Sequence, residues 1–128
     1  PMLVDTGKAT ISFYQDDAGH IDQSIVVVDI YANEKLFDTD IDAIHSGITK
    51  TSANLPVDTI CIKSGHNSLA DSGLDYSIKH NSIHNRVVFV IKHMQDIHFP
   101  SEAEASYFKE HLVDYCSSLE EAYGILRK

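Results

Sequence analysis

The sequence predicts an α/β fold: a single mixed, mostly parallel sheet with an N-terminal hairpin and helices packed on it. Three observations carry this expectation. Residues 24–31 (SIVVVDIY), 57–63 and 86–94 form runs rich in β-branched and apolar residues, as strands require. Between such runs the spacing of apolar residues lengthens from the strand period to the helix period. Over the last two thirds of the chain the two patterns alternate, which implies parallel crossovers and one sheet covered on at least one face.

In chain order, residues 9–14 alternate weakly and are followed by the turn-rich DDAGHID, which contains Gly19, and then by the strand 24–31. This is a hairpin. From Asp38 the period changes: Ile41, Ile44 and Ile48 fall at i, i+3 and i+7, with Asp38 or Thr39 placed to cap the first turn. That helix is expected to end at Gly47 or in the polar run before Pro56. Residues 57–63 read as a strand entered through Pro56, and 74–83 as a polar helical stretch. The run RVVFVIKHM, 86–94, is the most apolar of the chain and suits a central strand buried on both faces. Ser101 with Glu104 forms a capping box before Ala105, Phe108 and Leu112. Ser118 with Glu121 repeats it before Leu119, Ala122, Tyr123 and Leu126. Residues 113–116 are then a short strand between two helices, and the order is ββαβ(α)βαβα. With 128 residues and no internal repeat, linker or low-complexity tract, 1–128 is read as one domain.

Ten Lys and Arg against 19 Asp and Glu give a net charge of −9. Such a chain repels phosphate backbones and anionic headgroups, so nucleic acid and acidic membranes are poor partners. No window approaches the roughly eighteen consecutive apolar residues of a membrane-spanning helix, and the N-terminus lacks the basic-then-apolar layout of a signal peptide. The expected location is the cytoplasm. Cys61 and Cys116 each lie within an apolar segment at a spacing unlike zinc or thioredoxin patterns, so buried reduced thiols are expected, with a bridge open only if their strands are neighbours.

The stretch 59–74, TICIKSGHNSLADSGL, ends an apolar run in two glycine turns before a helical segment, the place where α/β proteins put adjustable chemistry. Asp71 and Ser72 are its electrostatic centre, with His66, Ser68 and Gly73 on the same loop. Plain helix capping by Asp71 and Ser72 is the structural alternative.

These residues resemble a STAS domain, the family of anti-sigma factor antagonists and of the cytoplasmic domains of sulphate transporters. In that family an apolar-Asp-Leu-Ser-Gly strand end, four residues, and Asp-Ser-Ser-Gly-Leu lead into the second helix. Ser64, Gly65, Ser72, Gly73 and Leu74 fall at the same spacing. The closing segment VDYCSSLEEAYGIL, 113–126, is similar to the family's last strand and its Ser-Leu-Glu-Glu-Ala helix, and the element order agrees. In the ungapped register the family's phosphorylated hydroxyl falls on Asp71, its preceding Asp on Ala70 and its strand-end Asp on Ile62. A carboxylate at that position carries about one unit of charge against the −1.5 to −2 of a phosphoserine. If one residue has been deleted, Asp71 takes the family's Asp and Ser72 becomes the acceptor, at a helix N-terminus that favours phosphate.

The resemblance implies a non-catalytic regulatory or protein-interaction domain that binds a partner such as an anti-sigma factor or a kinase through the loop 66–73, needs no cofactor, and is compatible with a homodimer. A second branch of the same fold, the STAS-like or sporulation-factor-like domains, lacks the phosphorylation motif and is grouped with lipid-binding folds. It implies a small hydrophobic ligand or lipid held between sheet and helices. Enzyme readings are weaker. Pro1 invites comparison with tautomerases, whose N-terminal proline is a general base, but residues 2–31 read as a leader and hairpin rather than a strand running into a long helix. The eight histidines form no HExxH or Cys/His cluster, Gly65 to Ser68 lacks the second glycine of a nucleophile elbow, and no Gly-Lys-Ser/Thr follows Gly65 to Gly73.

Overall fold

A computed structural model of the chain describes residues 3–65, 84–91 and 113–127. Among these residues six strands, β1 (Val4–Asp5), β2 (Ala9–Gln15), β3 (Ile21–Ile30), β4 (Val57–Lys63), β5 (His84–Ile91) and β6 (Val113–Cys116), form one sheet in sequence order. β1, β2 and β3 pair antiparallel, whereas β3, β4, β5 and β6 pair parallel. The sheet is therefore mixed and mostly parallel, as the alternation of patterns predicts. The two-residue β1 was not legible, because Val4 and Asp5 alone carry no period. The apolar run 86–94 corresponds to β5, an interior strand between β4 and β6 that, among the described strands, is next to the last rather than at the centre. Burial follows from flanking strands and covered faces, so an apolar run reports that a strand is enclosed and not its rank across the sheet.

Two helices accompany the described strands, α1 (Asp38–Ser52) and α2 (Leu119–Leu126). Alternation along the strands sends successive side chains to opposite faces, and the two helices divide them. Val26, Val28 and Ile30 of β3 pack with Ala9 and Ile11 of β2 against Ile41, Ile44 and Ile48 of α1. Ile25 of β3 packs with Ile60 of β4, Val88 and Val90 of β5 and Cys116 of β6 against Ala122 and Leu126 of α2. Each face thus has its own core. A fully buried Ile or Val contributes about 1.5–3 kcal/mol, which outweighs the modest propensity of a helix as short as α2.

Both helix starts differ in detail from expectation. Asp38 and Thr39 lie inside the first turn of α1, and Phe37 is the N-cap. The phenyl ring accepts nothing, so Asp40 reaches back and its Oδ2 accepts from the Phe37 N–H at 2.7 Å. In α2, Ser118 caps as expected, its Oγ accepting from the Glu121 N–H at 3.1 Å. The Glu121 carboxylate accepts instead from the Oγ and N–H of Ser117, one residue earlier than in a closed box. Of the two expected ends of α1, the polar run before Pro56 is the one found, and the helix runs on through the buried Gly47. A Cβ on Gly47 would overlap Ile11 Cδ1 and touch Val4 Cγ1 at 3.4 Å, so this glycine lets the helix sit close on β1 and β2. The helix stops after Ser52, where Ala53 and Asn54 take left-handed φ values of 53° and 66°.

No disulfide joins Cys61 and Cys116. β5 separates their strands, and Cys61 packs toward the α1 core whereas Cys116 belongs to the α2 core. Two strand spacings, about 9.5 Å, and opposite faces exceed the reach of a disulfide. Burial, with a smaller contribution from the charge of Asp29, pushes the Cys61 thiol up to about 12. Cys61 is partly buried, so native protein treated with iodoacetamide at pH 8 is expected to label there much more slowly than denatured protein. Rapid native alkylation of Cys61, read by peptide mass, would contradict this burial.

Candidate functional site

The parallel strands β3 and β4 end side by side, and the chain leaves β4 there toward residues 66–73. Ile30, the last residue of β3, is the anchor: its carbonyl accepts from the Ser64 N–H at 3.1 Å and from the Gly65 N–H at 3.0 Å. Ser64 Oγ also donates to Asp29 Oδ1 at 2.5 Å. Three hydrogen bonds thus hold the exit of β4 to the end of β3. Gly65 sits against the next turn of chain. A Cβ there would fall 2.6 Å from the Tyr31 carbonyl oxygen, a backbone atom that cannot swing aside.

The same end of the sheet carries the start of α1. Asp40 accepts from Lys8 Nζ at 2.8 Å as well as from the Phe37 N–H. Partial burial raises the Asp40 carboxyl, but these two donors and the lysine charge outweigh it and hold its pKa below the usual value. Lys8 and Lys35 bring their ammonium groups within 5.3 Å and 5.8 Å of the Phe37 ring centroid. Phe37 remains 56% exposed and Tyr31 41% exposed, so two aromatic side chains stand half in water at this end of the sheet. Tyr31 Oη donates to Asp5 Oδ1 at 2.8 Å, and Asp5 also accepts from the Gly7 N–H at 2.9 Å. Those two donors, Gly7 first, lower the Asp5 pKa; the same bond to Asp5 raises that of Tyr31.

Of the residues singled out in the sequence, His66, Ser68, Asp71, Ser72 and Gly73 lie outside the described residues, as do Pro1 and the stretches 74–83 and 101–112, which the sequence pattern reads as helical. Ser64 and Gly65, the first half of the STAS-like motif, are described and form the anchored exit. Sequence reasoning passed over Asp29, Tyr31, Phe37 and Lys8. Asp29 carried a signal, a lone charge in the β-branched run IVVVDIY, whereas Lys8 and Phe37 meet only through the hairpin. Among the described residues no group of three or more His, Cys, Asp and Glu could hold a metal ion, and no helix is long and apolar enough to cross a membrane.

Compared with known proteins, the chain matches no protein-family model and no curated protein sequence. The fold class and the chemistry of the strand ends therefore carry the functional argument.

Two substitutions test this end of the sheet. Gly65→Ala must displace the backbone at Tyr31 and is expected to lower unfolding stability by about 2 kcal/mol, read from the denaturant midpoint. Asp40→Asn is expected to cost about 1 kcal/mol at pH 7, a figure kept small because solvent reaches the ion pair. The folded-state pKa of Asp40 is depressed, so its contribution is present above the unfolded value near 4 and is lost as pH falls through the folded value. The gap between Asp40→Asn and the parent should accordingly close on acidification below about pH 4.

Proposed function

We propose that the chain is a non-catalytic regulatory domain of STAS type, acting in the cytoplasm by non-covalent association with a protein such as an anti-sigma factor or a kinase. The docking surface in this reading is the carboxyl end of β3 and β4, continued by residues 66–73. One observation carries it: the exit of β4 is tied to Ile30 and Asp29 at the end of the sheet that also bears the half-exposed rings of Tyr31 and Phe37. Aromatic side chains bury large area at small entropic cost and are enriched at binding hot spots. An anchored strand end beside them supplies a rigid origin for a recognition loop.

The loop chemistry supplies the switch. With Ser72 as acceptor, a phosphate adds −1.5 to −2 charge to a chain already at −9. An acidic partner is then repelled, and a partner presenting arginines is engaged. With Asp71 at the acceptor position, the charge is fixed and the domain binds constitutively. The mixed α/β sheet and the Ser64–Gly65 exit support this family reading, as does the capped helix that follows β6.

Incubation with a cognate kinase, followed by intact mass, is the direct test. A single phosphate absent from Ser72→Ala supports the switch. An unmodified chain whose partner binding is unchanged in Ser72→Ala, Asp71→Asn and Phe37→Ser removes the surface from consideration. Native mass spectrometry of gently purified protein adds a separate readout, because a co-purified hydrophobe would point to carriage of an apolar ligand instead.

A further inference from the structure

The opposite end of the sheet, away from the surface proposed above, holds a second constellation. The register of β2 on β3 jumps from Phe13↔Val26 to Tyr14↔Asp22. This bulge brings Asp22 opposite Tyr14 and crowds polar side chains at the amino ends of the strands. Tyr14 stacks on Tyr123 of α2 with centroids 4.3 Å apart and planes 12° from parallel. Together with Asp16, His20, Asp22 and Gln23 the two tyrosines line an open concavity of about 450 Å³.

The chain already places one guanidinium here. Arg127 pairs with Asp22, lies 5.4 Å from the Tyr123 ring centroid and donates to Ser24 Oγ at 3.3 Å. Asp22 is fully used, since it also accepts from Ser24 and from Tyr123 Oη. The other half of the notch is not. Tyr14 is only 8% exposed and lines the concavity, yet among the described residues its hydroxyl has no hydrogen-bond partner. Asp16 accepts from Ala18 N–H, His20 N–H and the His20 ring, which leaves one of its roughly four lone-pair sites.

We propose that this notch binds a second guanidinium or alkylammonium group, which would donate to Tyr14 Oη and Asp16 beside the stacked tyrosine pair. The electrostatics agree. Burial first, and then Tyr123 and the charges of Asp16, Asp17 and Glu120, raise the Tyr14 pKa, so the phenol stays neutral and its oxygen is free to accept. The His20 and Ala18 hydrogen bonds lower the pKa of Asp16 and keep it ionised. Asp16, Asp17 and Glu120 attract a cation; Arg127 is spent on Asp22, and the His20 ring meets Asp16 at one oxygen only. A planar guanidinium suits the site best, because it stacks on an aromatic face while donating in its own plane.

The test uses the full chain with three probes at matched ionic strength: agmatine, N-acetyl-arginine amide, and the neutral isostere N-acetyl-citrulline amide. Saturable shifts of the Tyr14 and Tyr123 ring resonances are expected with the two cations at millimolar concentration and not with citrulline. Tyr14→Phe preserves the stack and should weaken binding about tenfold, as loss of a hydrogen bond to a charged group does. Asp16→Asn keeps the turn acceptor and should weaken it likewise, which covers the case of a Tyr14 variant that folds poorly. Much tighter binding of the arginine amide than of agmatine assigns the site to an arginine of a protein segment, and the reverse to a free small cation. Equal response to citrulline, no saturation with either cation, or unchanged affinity in both variants overturns the proposal.

Discussion

β3 is antiparallel to β2 on one side and parallel to β4 on the other, so the antiparallel and parallel parts of the sheet meet on that strand. Its alternating side chains feed both cores: Val26, Val28 and Ile30 lie under α1, and Ile25 faces α2. Because the side-chain period is two, a slip of one residue would exchange the faces and turn Asp29 toward the α1 core. Burial of an unpaired carboxylate is costly enough to forbid that register. The parallel pairing from Ile25↔Asp58 to Ile30↔Lys63 is therefore over-determined by apolar packing on two faces and by the placement of one charge.

The two ends of this sheet differ chemically because they are closed by different devices. At the carboxyl end, backbone donors at Ser64 and Gly65 converge on one carbonyl, and exposed aromatics stand beside Lys8, Lys35 and Asp40. At the amino end a bulge gathers acidic side chains around stacked tyrosines and a single arginine. The first arrangement suits a recognition loop leaving a rigid strand end, and the second suits a cation. The sheet core lies between them, so a change of charge at one end reaches the other only through packed strands.

Much of this architecture could be read from residue order. The β-branched runs marked β3 and β4, the isoleucines at 41, 44 and 48 marked the buried face of α1, and Ser118 with Glu121 marked the start of α2. Local pattern carried these elements because one buried face imposes one period. The start of α1 was misread because Asp38 and Thr39 are the usual capping types, whereas Asp40 acts from inside the helix with Lys8 behind it. Gly47 resembled a stop because glycine often ends helices, yet here its missing side chain makes room for Ile11 and Val4.

By itself the sequence determined the class of fold, the positions of the main described strands and helices and a net negative charge, all of which follow from composition and short-range periodicity. Tertiary structure alone decided which residues meet. Tyr14 reaches Tyr123, Ser64 reaches Asp29, Lys8 reaches Asp40, and Cys61 and Cys116 face apart. Such contacts depend on strand register, on a bulge and on which face each helix covers. Those choices are made by packing between distant segments, and neighbouring residues in the chain carry no record of them.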